Sequence, residues 1–354
     1  MRENHNSKLK KVGICGHFDG DKPTSSGQII KTRIVTAELI RQFGKDQVMT
    51  VDSSGGAKAM PRMLKESWKM FKQCENIVFL PAYKGLRVFV PDYSFYNTFF
   101  HRKIHYVVIG GWLNSFIDQH KWLARMLKNF TGIYVETTTM KKTLQKRGFK
   151  NVVVMPNFKN LEILKPEELS YTVEQPYRLC TFSRVMKQKG IEDAIAAVKT
   201  VNEKVVHTVY TLDIYGQIDD GYKEKFSSMQ KSFPPYIRYA GLVPYDKSVE
   251  TIRQYFALLF PTYYHGEGFA GTLIDAMAAG TPVIASDWRF NKEVVRPGKT
   301  GVLIKDCNAK KIEDELVKIA ENPDAWNAMK ISTLDEAHRY EPEAAIKPLV
   351  SRLL

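Results

Sequence analysis

Twelve short apolar runs recur along the chain, from Lys11–Cys15 to residues 301–304, and stretches of helical pattern fall between several of them. That alternation is the strongest constraint on the fold. Short strands buried on both faces and separated by helices pair in parallel, because a parallel connection needs a crossover long enough to hold a helix. The first series reads at residues 11–15, 47–52, 76–80, 105–110, 132–136 and 151–155. Gly27–Phe43 is the clearest helix, with apolar residues at three- and four-residue steps. At Pro156-Asn157-Phe158 the pattern breaks. A Pro- and Glu-bearing stretch then runs to Pro176, and a second series follows at 178–184, 211–216, 237–241, 255–261, 282–286 and 301–304. With 354 residues, two α/β cores fit better than one. The expected organisation is a first domain over 1–158, a linker over 159–177, a second domain over 178–338, and a last helix within 339–354 that returns to the first domain. Two doubly wound domains place ligands outside the carboxyl ends of their strands.

The excess of 52 Lys and Arg over 38 Asp and Glu, a net charge of +14, favours anionic partners without choosing among nucleic acid, lipid and phosphorylated substrates. No zinc finger, RNP-like sequence or basic-aromatic repeat supports nucleic acid. The four cysteines are far apart with no C-x-x-C pair, so buried reduced thiols are expected rather than zinc or disulfides. No stretch reaches the roughly 18–20 apolar residues of a spanning helix, and the polar first residues lack the apolar core of a signal peptide. The expected location is cytoplasmic. Two stretches, 59–73 and 120–130, set Trp, Met, Leu and Phe at helical spacing among Lys and Arg. That pattern fits a helix lying on anionic lipid at the inner face of the membrane. It also fits an ordinary helix with its apolar stripe on a core, and the net charge tips the reading toward lipid.

The segment 265–295, HGEGFAGTLIDAMAAGTPVIASDWRFNKEVV, carries the most chemical information. It follows a buried strand and Pro261. Glu267 sits in a Gly-rich loop, and FAGTLIDAMAAG reads as a helix ended by Gly280. The unpaired N–H groups at the start of that helix, around Gly271 and Thr272, suit a phosphate. Gly268 and Gly271 leave room for a ligand against the backbone. Asp275 follows Glu267 by eight positions, and each carboxylate can accept two or more hydroxyl hydrogen bonds, as sugars require.

This segment resembles the E-x7-E signature of retaining glycosyltransferases with the GT-B fold, particularly family 4. The resemblance implies two Rossmann-like domains facing a central cleft, and a nucleotide-sugar donor. It gives Glu267 the donor-sugar hydroxyls and Asp275 the ribose, although the family usually carries Glu at the second place. It assigns the run Gly268, Phe269, Ala270, Gly271 and Thr272 to donor binding. A second match, SRVMKQKGIEDAI at 183–195, carries over Arg184 and Lys189 as catalytic ligands of the leaving diphosphate. With those cations no metal or other cofactor is expected; Asp219-Asp220 reads as a turn. In the first domain, Ser26 and Gly27 open a helix where the family has a glycine-rich loop near the donor. A plain strand-to-helix turn is the other reading, since neither a Walker loop nor G-x-G-x-x-G is present. Relatives often carry a catalytic His where this chain has Gly110-Gly111-Trp112, so none is assigned, and His101 and His105 read as structural. The implied reaction is transfer of a hexose-type sugar, with retention and without a side-chain nucleophile, to a saccharide or lipid-linked saccharide, as in surface polysaccharide synthesis. A non-catalytic nucleotide-sugar-binding protein and a sugar-nucleotide epimerase of the same fold are the alternatives.

Overall fold

Each of the twelve apolar runs forms a β-strand. The structure, a computed structural model, describes residues 9–18, 27–205 and 207–354. The chain divides into two compact units, Met1–Lys159 with Pro342–Leu354, and Asn160–Glu341.

The first unit holds β1 (Lys10–Gly16), β2 (Val48–Asp52), β3 (Cys74–Phe79), β4 (Lys103–Val107), β5 (Gly132–Val135) and β6 (Val152–Val154). They form one sheet in the order β2-β1-β3-β4-β5-β6, and every pairing is parallel. Its core sets Val12, Ile14, Val78 and Val107 of the sheet against Ile34, Val35 and Leu39 of the helix Gly27–Phe43. The helix Pro342–Leu353 completes that core with Ala345, Ile346, Leu349 and Leu353, all buried. Asn76 on β3 anchors its end by donating from Nδ2 to Leu353 O at 3.2 Å. The helix Tyr83–Phe100, which carries Pro91 in its interior, was not singled out by the sequence pattern. A proline removes one backbone donor from a helix, and burial of Leu86, Phe89, Val90, Tyr93 and Tyr96 offsets that loss.

The basic stretch 59–73 forms the helix Met60–Gln73, which buries Met63, Ser67, Met70 and Phe71. Within 120–130 the helix is Lys121–Leu127, and Leu123 and Leu127 are buried. Most of each apolar stripe therefore faces the core, while Trp68 and Trp122 stay exposed. Among the described residues no helix is long and apolar enough to cross a membrane.

The second unit holds β7 (Tyr177–Phe182), β8 (Tyr210–Tyr215), β9 (Ile237–Gly241), β10 (Ala257–Phe260), β11 (Val283–Ser286) and β12 (Gly301–Ile304). The order is β12-β11-β10-β7-β8-β9, again parallel throughout. The strand order reverses between β7 and β10, where Leu179 faces Ala257 and Cys180 faces Leu258. Crossovers leave this point in opposite directions, so a crevice opens at the carboxyl ends of the two strands. Residues 160–176 lie with this unit. Leu164 N–H donates to Ala278 O at 3.0 Å, and Leu161 and Ile163 pack on its core.

Candidate active site

Two loops leave the carboxyl ends of β7 and β10 and meet at the reversal point. After β7 come Ser183 and Arg184, then a single turn over Lys187–Lys189. Gly190 follows at φ 73° and starts the helix Ile191–Glu203. A side chain at Gly190 would bring its Cβ to 2.3 Å from Pro261 O, so only glycine lets the two loops touch backbone to backbone. Tyr263 N–H donates to Gln188 O at 2.8 Å and fastens them. After β10 the chain runs through Pro261 and Thr262 to Glu267. The helix forecast from Phe269 begins two residues later and spans Gly271–Ala278, because Ala270 is extended. Gly280, at φ 58°, closes it.

Where the loops meet, Lys189 Nζ lies 2.5 Å from Glu267 Oε2, with both side chains about nine-tenths buried. Thr262, fully buried, donates from Oγ1 to the same carboxylate oxygen at 2.9 Å. Its backbone carbonyl in turn accepts from Ser286 Oγ at 2.5 Å. Asn291 Nδ2 donates to Ser286 O at 3.0 Å. A chain of buried polar contacts thus runs from the end of β11, past the end of β10, to the Glu267 carboxylate. The rings of Phe260 and Tyr264 stand 5.6 and 5.2 Å from Lys189 Nζ and add cation–π attraction.

A cavity of about 320 Å³ opens above this pair. Arg184, Lys189, Glu267, Ala270, Gly271 and Thr272 all line it, six of the residues selected from the sequence. Arg184 is largely exposed, 3.6 Å from Asp219. Thr272 Oγ1 donates to Phe182 O at 2.8 Å, pinning the start of its helix to the end of β7. Phe269 and Asp275 do not line this cavity: Phe269 is buried and packs edge-on against Tyr340 at 5.3 Å. Asp275 is buried on the same helix, where its charge adds to the burial that raises the Tyr245 phenol above its ordinary range. Gly268 follows Glu267 in the loop. Gly27 opens its helix in the first unit, and Ser26 lies outside the described residues. Sequence reasoning missed Thr262, Ser183, Met186 and Tyr264. Thr262 had a positional signal, since it stands just past a buried strand, where such folds place ligand contacts.

Among the described residues no group of three or more His, Cys, Asp or Glu is placed to hold a metal ion. The four cysteines are free thiols; three are buried and Cys307 is half-buried. The cavity therefore offers one carboxylate, two cations and the amino end of an eight-residue helix. That set holds hydroxyls at one end and an anion at the other.

Residues 168–333 match the family described as "Glycosyl transferases group 1". That segment is similar to a glycosyltransferase group 1 domain. The matched segment includes β7 to β12 and the whole cavity. An uncharacterized glycosyltransferase of Methanocaldococcus jannaschii is 26% identical over 179 residues, 47% of this chain and 43% of the relative. The GtfA subunit of the UDP-N-acetylglucosamine–peptide N-acetylglucosaminyltransferase of Streptococcus gordonii is 27% identical over 52% of this chain and 35% of its own length. The chain thus spans less than half the length of these curated relatives. Solved structures match further along the chain. Anabaena HepE in complex with UDP superposes with a TM-score of 0.72 at 13% identity, covering 97% of this chain and 99% of that one. Sucrose-phosphate synthase of Thermosynechococcus elongatus gives 0.72 at 14% identity over 96% and 97%. With the two parallel sheets, these matches make the fold GT-B, two Rossmann-like domains.

Proposed function

We propose that this protein is a retaining, metal-independent glycosyltransferase, a family 4 type enzyme that transfers a hexose-type sugar from a nucleoside diphosphate sugar. The acceptor in this reading is a saccharide or lipid-linked saccharide of surface polysaccharide assembly, met at the cytoplasmic face of the membrane. The observation that carries it is the convergence of Glu267, Lys189, Arg184 and the Gly271–Thr272 helix start on one cavity at the strand reversal point. Glu267 takes the donor-sugar hydroxyls. Arg184 and Lys189, with the backbone amides, take the diphosphate, and Asp275 takes the ribose. Lys189 pairs with Glu267 in the cavity wall. An arriving diphosphate competes for Lys189 and leaves Glu267 an oxygen for the sugar.

The bond from the anomeric carbon to the diphosphate breaks as the acceptor oxygen bonds the same face of that carbon. The acceptor proton passes to the departing phosphate oxygen. Negative charge grows on the diphosphate, and preorganised cations and amides lower that barrier. UDP complexes of the similarly folded HepE support starting with uridine donors.

The test is thermal stabilisation by UDP-, GDP- and ADP-sugars and the free nucleotides, since a ligand of the folded state alone raises its apparent stability. One nucleotide class should raise the melting temperature, and Arg184→Ala should remove the rise. No shift with any nucleotide would end the donor-cavity reading. Donor binding without sugar release or transfer to any acceptor would favour the non-catalytic alternative. For an active enzyme, NMR of the product reads retention directly.

A further inference from the structure

The helix Met60–Gln73 and the helix Tyr83–Phe100 of the first unit share an aromatic cluster that the core does not absorb. Trp68 stands edge-on to Phe100 at 4.9 Å and lies 6.0 Å from Phe99, which meets Phe95 at 5.3 Å. Phe95 and Phe99 are more than half exposed, at 57% and 59%, and Trp68 is 41% exposed. Three large rings thus form one contiguous apolar patch, at adjacent turns of two packed helices. Exposed apolar patches of this kind mark interaction sites.

Charge identifies what covers it. Lys65, Trp68 and Lys72 stand three and four residues apart, so they share one face of the first helix, with exposed Lys69 beside them. Glu66 is paired with Arg62 at 3.1 Å, and Asp92, one turn before Phe95, is half-buried. A second copy of the chain would set these lysines against their own equivalents. Protein interfaces favour Arg and are depleted of Lys. Aromatic rings flanked by lysines suit a bilayer surface, where rings enter the acyl boundary and ammonium groups reach phosphate.

We propose that Trp68, Phe95 and Phe99, with Lys65, Lys69 and Lys72, dock the first unit onto an anionic lipid surface. This differs from the amphipathic-stripe reading, because Met63, Met70 and Phe71 of that stripe are buried. The patch lies where the two helices lead into the amino ends of β3 and β4. That end of the sheet is opposite the carboxyl ends of the strands, where doubly wound folds hold ligands, so the patch is a tether and not an acceptor site. It deepens the membrane part of the proposed function and does not depend on the donor cavity.

The test is flotation of the full chain with phosphatidylcholine vesicles, with and without phosphatidylglycerol. Wild-type protein should float with the anionic vesicles and stay behind with the neutral ones. Phe95→Ser/Phe99→Ser should lower the bound fraction about tenfold. Each of Lys65→Gln, Lys69→Gln and Lys72→Gln should lower partitioning about fivefold. The lysine set keeps the test open should the aromatic variant fold poorly. The nucleotide-dependent melting shift should be the same in every folded variant, separating loss of docking from loss of the donor site. Equal recovery of wild type with both vesicles, or variants floating like wild type, would overturn the proposal. So would wild-type self-association without lipid that the serine variant abolishes.

Discussion

Glu267 owes its place to a partner that the sequence did not advertise. Two donors, Lys189 Nζ and Thr262 Oγ1, meet the same carboxylate oxygen, so its other oxygen is the one left to accept hydroxyls. Glu267→Gln keeps the shape and removes the charge that binds Lys189. Activity of the folded variant should fall by about 10² or more, as for loss of a preorganised electrostatic contact, with a lower melting temperature because buried Lys189 loses its counter-charge. Normal turnover in the folded variant would remove Glu267 from the site. Thr262→Val removes only the second donor, and hydrogen bonds to charged groups contribute about 1.5–3 kcal/mol. A ten- to hundredfold loss in kcat/KM is expected, with Thr262→Ser restoring most of it. A Val variant as active as the Ser variant would show that Lys189 alone holds the acid. Glu267, Arg184 and Lys189 were legible because their side chains belong to a recognisable motif. Thr262 was not, since a threonine after a strand end is common and only the fold brings it to Glu267.

At the level of elements, all twelve strands were legible, because buried parallel strands are short, nearly continuous apolar runs. The helix Tyr83–Phe100 was not: Pro91 is an interior breaker by local rule, and tertiary burial overrides it. Helix faces were equally hidden, for periodicity places a stripe without saying whether lipid or protein meets it. The central strands also carry a titrating group. His105 on β4 is fully buried, with Nδ1 3.0 Å from the Tyr134 hydroxyl of β5 and Nε2 3.3 Å from Asn76 Oδ1 of β3. Burial, helped by the charges of Lys103 and Arg352, lowers its pKa to about 3. The unfolded chain, with an ordinary value near 6.5, takes the proton first. Stability from this group is complete above about pH 6.5. Below that it falls by up to about 1.4 kcal/mol per pH unit, until the folded form protonates near pH 3. Urea unfolding should show a loss of about 2 kcal/mol between pH 7 and pH 5 that His105→Gln largely removes. Equal losses in both proteins would place the acid sensitivity elsewhere.

For the molecule as a whole, the last helix belongs to the unit that contains the first strand. Removing Pro342–Leu354 strips Ile346, Leu349 and Leu353 from that core, each contributing about 1.5–3 kcal/mol. The sum approaches the 5–15 kcal/mol that stabilises a whole domain. Calorimetry of the truncated chain should lose the transition of the first unit while keeping a second transition that a nucleotide still shifts. Retention of both transitions would mean that the helix is dispensable. The contact of Gly190 with Pro261 has a bearing on any attempt to re-engineer this protein. The two loops that carry Lys189 and Glu267 are fitted to each other along their main chains, so neither is a free-standing module. A graft that imports one loop from a relative inherits a mismatch at the other. New donor preferences are therefore better sought by moving the pair together, as a single cassette with its threonine and glycine.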